Sequence, residues 1–425
     1  MQIPQHIAET IVDPKAYAAG TPIDEAFTYL RRTNPLGRAE LDGFDPFWVV
    51  TKNKDILEVE RNNELYHNGD RSTVLTNKTS DQKVRAMMGG SPHLVRSLVQ
   101  MDNPDHGNYR RLGQPYFLPQ NIRKLEPRIR EIAKSFVQRM ADKGDACDFA
   151  RDVAFLYPLH VIMEILGVPE VDEPFMLRLT QELFGPADPD TNRTGKTAMN
   201  EDDGLAAIMA TVGDFVTYFN KMTKDRRENP REDIASVIAN GKINGQPLGE
   251  LEAMSYYIIV ASAGHDTTSN TTAGALWALA EHQVEFNKLK ADFGTLLPGF
   301  IEESIRWVTP VKHFMRTATA DATLHDRKIT KGDWLFLSYP SGNRDEEAFD
   351  DPFTFKVDRT PNKQIAFGYG AHVCLGQHLA RMEMRILWEE LLPRLERVEL
   401  NGEPKRTEAG FVCGPKSVPI RFKMQ

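Results

Sequence analysis

The chain has 425 residues, 41% hydrophobic and 26% charged, and its 60 acidic and 52 basic residues give a formal net charge of −8. This mildly acidic balance gives no reason to expect nucleic acid as a partner. The most apolar stretch, Tyr256–Ala263, is far shorter than the ~20 residues of a membrane-spanning helix, so no membrane segment is expected.

The cysteines and the first residues bear on the compartment. Three cysteines lie far apart, at Cys147, Cys374 and Cys413. An odd, scattered set fits a reducing cytoplasm better than a disulfide scaffold. The first ten residues lack a basic segment followed by an apolar run, so no signal peptide is expected. The sequence therefore predicts a cytoplasmic protein.

The first half of the chain changes from irregular to helical. Residues 1–45 are mixed, Phe47–Thr51 is predicted to be a strand and Lys54–Arg61 a helix. Residues 66–100 are predicted to form a long polar loop, and long loops in compact domains are often binding loops. Apolar residues at three-to-four spacing then predict helices at about 104–116, 121–142, 152–166, 171–184 and 202–227. The polar segment Gly185–Lys196 is expected to be a mobile loop.

The second half predicts a long helix from Pro247 to Ala280 and a helical block over 283–309. Short alternating runs predict strands over Phe314–Tyr339 and Val398–Phe422, with a helix at Gln377–Leu392 between them. The expected fold is mainly α with a small β-rich part (α+β). We expect a single domain over residues 1–425, with a helix-rich core at about 102–310 and 376–394 and β-rich parts at about 45–52, 314–340 and 397–423.

The segment Phe367–Gly376 combines a cysteine with three glycines at Gly368, Gly370 and Gly376. Glycine allows positive φ and lets the backbone approach a flat partner. Cys374 lies just before a helix start, where N–H groups and the helix dipole stabilise a thiolate. The segment alone leaves two interpretations open, a metal-binding thiolate and a nucleophilic one.

The centre of the long predicted helix is locally weak. Ala263–Thr268 contains glycine, aspartate and two threonines, all poorer helix formers than alanine. A helix that opens here would present Asp266 beside the hydroxyl of Thr267, a pair suited to proton delivery. The alternative is a patch of small residues that lets another helix approach, with a solvated Asp266. For this window alone, the alternative is favoured.

Three sets of charged residues are ambiguous when each is taken by itself. Glu303 and Arg306 lie three apart on a helix, as in many surface pairs of little energetic value. His106 and Arg110 lie four apart, either gripping one carboxylate together or forming a solvated face. Arg316 lies within a strand-like run, where a charge needs a partner or an exposed edge.

Together these features resemble the cytochrome P450 superfamily of haem-thiolate monooxygenases. The cysteine loop of that family is matched by Phe367, Gly370, His372, Cys374 and Gly376, and its central-helix motif by Ala263–Thr268. Its Glu-x-x-Arg motif is matched by Glu303 and Arg306, and Arg359 resembles the third member of that charge cluster. The stretches Tyr157–His160, Pro310–Thr317 and Phe367–Leu379 are similar to the bacterial α-terpineol-hydroxylating branch in particular.

The resemblance implies a role for each matched residue. Cys374 would be the axial thiolate of a haem b, with dioxygen as co-substrate. Asp266 and Thr267 would relay protons to iron-bound oxygen, while Glu303, Arg306 and Arg359 would be structural. The resemblance also implies further contacts to the haem, including cations that pair with the two haem carboxylates. The expected haem contacts are His106, Arg110, Arg316, His372, Phe367, Gly368, Gly376 and Ala263.

The resemblance also implies a pocket for a small hydrophobic substrate, a monoterpenoid or an alkyl-substituted aromatic. The expected pocket residues are Met87, Met88, Leu183, Phe184, Ile259, Val311, Phe314 and Val412. Side chains of these types are equally common in an ordinary core.

Electrons must come from elsewhere, because the chain has no flavin or nicotinamide fingerprint. We expect NAD(P)H to supply them through a flavoprotein reductase and an iron–sulfur ferredoxin, which would bind a monomer. Candidate ferredoxin contacts are Arg111, Lys363, Arg381 and Arg385. For each of these residues alone, a solvated surface charge is the favoured interpretation.

Two other functions compete with the monooxygenase. In a hydrolase or transferase, Cys374 would be a nucleophile, but His372 is only two residues away and could not readily act as its base. In a haem protein that senses or carries a ligand, an intact Asp266–Thr267 pair would have no purpose.

Overall fold

The computed structural model describes residues 1–196 and 201–425. The expected loop near 185–200 therefore lies partly outside the described residues. The helices are α1 Gln5–Val12, α2 Pro14–Ala19, α3 Thr21–Thr33, α4 Asn53–Arg61, α5 Lys78–Met87, α6 Asp105–Phe117, α7 Pro119–Ile122, α8 Glu126–Asp142, α9 Leu156–Leu166, α10 Glu173–Phe184, α11 Glu201–Glu228, α12 Ile234–Asn240, α13 Glu250–Ala263, α14 Asp266–Glu281, α15 Gln283–Ala291, α16 Phe293–Val308, α17 Tyr339–Gly342 and α18 Gln377–Leu391.

The strands form one larger sheet and several small ones. They are β1 Leu36–Ala39, β2 Phe47–Val50, β3 Tyr66–His67, β4 Ala146–Asp148, β5 Lys242–Ile243, β6 Gln246–Pro247, β7 His313–Ala318, β8 Ala322–Leu324, β9 Arg327–Ile329, β10 Trp334–Ser338, β11 Leu395–Leu400, β12 Lys405–Arg406, β13 Pro415–Ser417 and β14 Pro419–Met424. The five-stranded sheet has the order β1-β2-β10-β7-β3, in which β2 and β10 are parallel. The three-stranded sheet has the order β11-β14-β4.

The helices surround one large apolar core. Trp388 of α18 is fully buried at its centre, and its ring lies 5.1 Å from that of Phe300 and 6.5 Å from that of Phe149. Smaller cores lie on the two faces of the five-stranded sheet, one including Phe47 and Phe336 and the other Leu335 and Leu337. The predicted α+β class is confirmed.

The predicted long helix Pro247–Ala280 is interrupted within the window Ala263–Thr268, for which the composition alone favoured a patch of small residues. α13 ends at Ala263 and α14 begins at Asp266. Gly264 is required in this gap because a Cβ there would lie 2.6 Å from the side chain of Ile162. The opening places the side chains of the gap beside the main cavity. Among the described residues, no helix is both long and apolar enough to cross a membrane.

Two segments are more ordered than the sequence suggested. Residues 66–100 contain α5, whose start is capped because Asn77 Oδ1 accepts a hydrogen bond from the Ser80 N–H at 2.8 Å. Residues 1–45, predicted as mixed, contain α1, α2 and α3. α5 is hidden in the sequence because it is largely polar, whereas α3 is 13 residues long and its buried Ile23, Phe27 and Leu30 do follow the helical spacing.

Candidate functional site

A cavity of about 950 Å³ lies between the interrupted central helix and the Cys374 loop. Its walls are mostly apolar side chains, and a small number of charged and polar groups lie at defined points. The volume is at the upper end of the range typical for ligand sites in proteins. The cavity is therefore large enough for a cofactor and a small substrate together.

The Cys374 loop folds back on itself below the cavity. The Cys374 N–H donates a hydrogen bond to the Phe367 carbonyl at 2.9 Å. Gly370 has φ +71°, and a Cβ there would lie only 2.3 Å from the Glu60 carbonyl oxygen. Glycine is thus needed here both for its left-handed conformation and for the close approach of α4.

The Cys374 side chain lines the cavity without a basic partner. Burial raises the pKa of the thiol, while N–H groups of Gly376 and Gln377 and the charges of Arg110 and Arg381 act in the opposite direction. A nucleophilic cysteine requires a base within hydrogen-bond reach. In the part of the chain that the structure describes, no histidine is hydrogen-bonded to this sulfur. The arrangement suits a thiol that loses its proton to a metal ion.

The residues expected to bind carboxylates meet at one side of the cavity. His106, Arg110, Arg316 and His372 all line it. Arg110 donates to the Val373 carbonyl at 2.8 Å, and the rings of His106 and His372 lie 4.0 Å apart. Burial and the neighbouring arginines lower the pKa of His106 to about 4 and that of His372 to about 2.

This cluster provides a test of whether the site fits a haem. The buried His106 Nε2 has no hydrogen-bond partner within the protein, although it borders the cavity. The buried Arg316, the half-buried Arg110 and an unpaired ring nitrogen are suitable partners for two carboxylates. The cysteine lies on the same cavity, so the donor set fits a planar iron cofactor with acidic side chains. Phe367, Gly368, Gly376 and Ala263, the other expected contacts, also line the cavity.

The predicted acid and hydroxyl lie at the start of α14, and only the hydroxyl is part of the cavity wall. Thr267 lines the cavity, and its Oγ1 donates to the Ala263 carbonyl at 3.0 Å across the helix gap. Asp266 is buried but is not part of the cavity wall, and its Oδ2 accepts a hydrogen bond from Asn270 at 2.9 Å. Burial raises the pKa of Asp266 to about 7. The two residues are adjacent, but only Thr267 faces the cavity directly.

Six of the eight expected substrate-pocket residues line the cavity: Leu183, Phe184, Ile259, Val311, Phe314 and Val412. Met87 and Met88 do not line it. α5 turns Val84 towards the cavity, which leaves Met87, one turn later, 45% exposed.

The cavity also contains residues that sequence reasoning missed. His313 lines it, with Nδ1 3.0 Å from the Gly410 carbonyl and Nε2 accepting from the Leu75 N–H at 3.0 Å. Glu60 lines it too, beside Arg316. A histidine in a strand and a glutamate in an amphipathic helix carry no local signal of such a location.

Glu303, Arg306 and Arg359 form a buried network away from the cavity. Each arginine makes two hydrogen bonds to the Glu303 carboxylate, Arg306 at 2.7 Å and Arg359 at 2.9 and 3.0 Å. Arg306 also donates to the carbonyls of Asn343 and Pro352. The network joins α16 to the segment that leads into the Cys374 loop.

The candidate ferredoxin contacts differ in how far they are neutralised. Arg381 pairs with Glu302 at 2.5 Å, and Arg385 pairs with Glu126 and Glu389. Arg111 and Lys363 are exposed. The latter two are therefore the more available charges for a partner.

The loop after α10 is fastened to the C-terminal part of the chain, although we expected it to be mobile. Asp188 is fully buried, and both its carboxylate oxygens accept hydrogen bonds from Lys416, at 2.7 and 2.8 Å. Asp188 also accepts from the Glu408 N–H at 2.8 Å. Pro186 and Phe411, one in each segment, line the cavity. The ion pair therefore holds two walls of the cavity together.

A fold with an interrupted central helix above a cavity-lining cysteine defines the class of haem-thiolate proteins. The family model "Cytochrome P450" matches residues 65–422. The chain is 44% identical to cytochrome P450-terp of a Pseudomonas species over 420 residues, 99% of this chain and 98% of the relative. It is 30% identical to linalool 8-monooxygenase of Pseudomonas putida over 413 residues, 96% of this chain and 97% of the relative.

A solved structure agrees with these sequence matches. The crystal structure of CYP108D1 from Novosphingobium aromaticivorans superposes with a TM-score of 0.90 at 44% identity and covers 100% of both chains. The chain belongs to the cytochrome P450 family. It is a monooxygenase whose family uses haem iron and dioxygen, which excludes the hydrolase, transferase and ligand-carrier alternatives.

Proposed function

We propose that the protein hydroxylates a monoterpenoid or an alkyl-substituted aromatic compound at an unactivated, benzylic or allylic carbon. The observation that carries this proposal is the apolar part of the cavity lining, which includes Leu183, Phe184, Ile259, Val311 and Phe411. Such a wall orients a small hydrophobic molecule by shape. The similarity to a linalool 8-monooxygenase supports the same substrate class.

In this proposal the residues of the two walls have separate roles. Cys374 would hold the iron, while Arg110, Arg316, His106 and His372 would bind the haem carboxylates. When bound, haem supplies the iron centre at which dioxygen is activated. These assignments are supported by the location of all five side chains on one cavity.

Proton supply falls to Asp266 and Thr267. The pKa of Asp266, about 7, lets this carboxyl both release and regain a proton near neutral pH. Of these two side chains only that of Thr267 borders the cavity, so in this proposal the proton passes from Asp266 to Thr267. The hydroxyl of Thr267 can then donate to a ligand in the cavity by leaving its bond to the Ala263 carbonyl.

Each turnover needs two electrons, which we propose come from NAD(P)H through a flavoprotein reductase and an iron–sulfur ferredoxin. Exposed Arg111 and Lys363 would contact the acidic ferredoxin, with Arg381 and Arg385 at the edge of the contact. We propose further that residues 1–425 act as one domain and that the protein works as a cytoplasmic monomer.

Titration of the ferric protein with candidate substrates tests the proposed substrate class. Monoterpenoid alcohols and alkyl-aromatics should produce the spectral change of water displacement from the iron, whereas steroids and fatty acids should not. Phe184→Ala should weaken binding of the active compounds, and Met87→Ala, which changes a residue outside the cavity, should not. A response to steroids or fatty acids alone would refute the proposed substrate.

A further inference from the structure

A buried carboxyl group, Glu60, lies in the cavity among the residues expected to bind haem carboxylates. It belongs to α4, about 300 residues before the cysteine loop, and its side chain is 2% exposed. Glu60 Oε1 lies 3.6 Å from Arg316 Nη2 and accepts a hydrogen bond from the Tyr339 hydroxyl at 2.6 Å. Glu60 Oε2 is buried without a hydrogen-bond partner.

Glu60 also lies against the cysteine loop. A Cβ on Gly368 would lie 3.1 Å from Glu60 Oε1, and one on Gly370 would lie 2.3 Å from the Glu60 carbonyl oxygen. Glu60, Arg316 and Tyr339 all border the cavity. The carboxyl group is thus fixed between the loop that carries Cys374 and the arginine that faces the cofactor.

The charges around Glu60 do not balance when it is ionised. Arg110 and Arg316 are the two arginines that line this side of the cavity. Two haem carboxylates would already balance these two arginines. An ionised Glu60 adds a third negative charge in this buried site, so any further negative charge gained there would favour the binding of a proton by its unpartnered Oε2.

We infer that Glu60 is a positioning residue that holds Arg316 for the haem and exchanges a proton with solvent as the charge of the haem site changes. This inference rests on the proposed function. With haem bound, Glu60 Oε2 would take up one proton from solvent when the redox partner supplies one electron, so that the net charge of the site stays unchanged. Loss of the electron releases the proton.

The titration behaviour of Glu60 is consistent with this role. Burial raises its pKa to about 7, against the effects of Arg316, the Tyr339 hydroxyl and the Tyr369 N–H. The other charged or titratable groups facing this region are His372 on the cysteine loop and Arg61, which lies over the exposed Tyr369 ring. The Tyr339 hydroxyl does not ionise near neutral pH, because burial raises its pKa well above the usual value.

The test is the midpoint reduction potential of the haem-loaded protein, measured by spectroelectrochemistry from pH 6 to pH 8. The carbon monoxide spectrum of the reduced protein is recorded first, so that absence of a thiolate-bound haem, which would refute the proposed function, is distinguished from failure of this inference. In the wild type the potential should fall as pH rises, because an electron is accepted together with a proton. Glu60→Gln keeps a neutral hydrogen-bonding group and should have the potential of the wild type at low pH, independent of pH.

Two further variants complete the experiment. Tyr339→Phe removes a hydrogen bond that favours the ionised carboxylate, so the pH at which the potential begins to fall should move upwards. Asp55→Asn changes a buried carboxylate on the same helix that pairs with His325, and it should retain the wild-type pH dependence. A wild-type potential that does not vary with pH would overturn the inference. A reduction potential that still depends on pH in Glu60→Gln would also overturn it. This includes the case in which the pH dependence is lost in Asp266→Asn instead.

Discussion

Asn270 donates a hydrogen bond to Asp266 across one turn of α14, at 2.9 Å, and this contact holds the carboxyl group beside the cavity wall instead of within the wall. Asn270 is itself held by the C-terminal part of the chain, since a Cβ on Gly414 would lie 2.4 Å from its side chain. The acid is therefore kept in a buried place that favours its neutral form, next to a threonine that reaches the cavity.

Replacing Asp266 should change how stability depends on pH. The pKa of Asp266 is about 7 in the folded protein, against an ordinary value of 3.8. At a pH between these two values, the carboxyl group is protonated in the folded state and ionised in the unfolded state. The free energy of unfolding contributed by this residue therefore falls as pH rises from about 4 to about 7. Asp266→Asn should remove this dependence and be more stable than the wild type at pH 8, by an amount on the order of a few kcal/mol. Urea unfolding of the haem-loaded wild type and Asp266→Asn, at pH 5 and at pH 8, measures the difference in their free energies of unfolding. The same difference at both pH values would contradict the prediction.

Removing the Thr267 hydroxyl should uncouple the reaction without emptying the site. Thr267→Ala should retain haem and substrate binding but divert reducing equivalents into peroxide, because proton delivery at the cavity wall is lost. Peroxide and hydroxylated product are measured per NAD(P)H consumed. Ser269→Ala, in the same helix but outside the cavity wall, is the matched control. Equal coupling in Thr267→Ala and the wild type would refute the assigned role.

The Glu303 network should be a large contributor to stability. Glu303→Gln leaves two buried arginines without their anion, which typically costs about 3–5 kcal/mol in the free energy of unfolding. Glu302→Gln is the control, because the neighbouring Glu302 pairs with a partly exposed Arg381 and such pairs contribute about 1 kcal/mol or less. Denaturant unfolding of the wild type and the two variants measures the loss in free energy of unfolding that each substitution causes. Similar losses for both variants would show that the buried network has no special importance.

The ion pair between Asp188 and Lys416 should control how fast a substrate leaves. Asp188→Asn removes the buried anion that joins the loop after α10 to the C-terminal segment, so the two cavity walls should separate more often and release a bound substrate several-fold faster. Asp190→Asn is the control, since Asp190 contacts the same lysine but is 54% exposed. Stopped-flow displacement of a bound substrate measures the rates. Unchanged release in Asp188→Asn would show that these walls do not gate the cavity.

The extent to which sequence predicts this protein depends on how local each signal is. The Cys374 loop and the gap at Gly264 are visible because composition and backbone geometry are properties of a few consecutive residues. The helix α5 is not visible, because its polar composition weakens the helical pattern, whereas α3 does carry a three-to-four spacing at Ile23, Phe27 and Leu30 that the sequence prediction overlooked. Glu60 and His313 could not be found in this way, since their positions in the cavity depend on contacts with distant segments.

The carbon monoxide difference spectrum of the reduced, haem-loaded protein tests the central claim most directly. If Cys374 binds the iron, the wild type should show the strongly red-shifted band of thiolate ligation, and Cys374→Ser should lose that band even where haem is retained. Cys147→Ser, which changes a cysteine outside the cavity, should keep it. A wild-type spectrum without the red-shifted band, or a band that persists in Cys374→Ser, would contradict the assignment of Cys374 as the iron ligand.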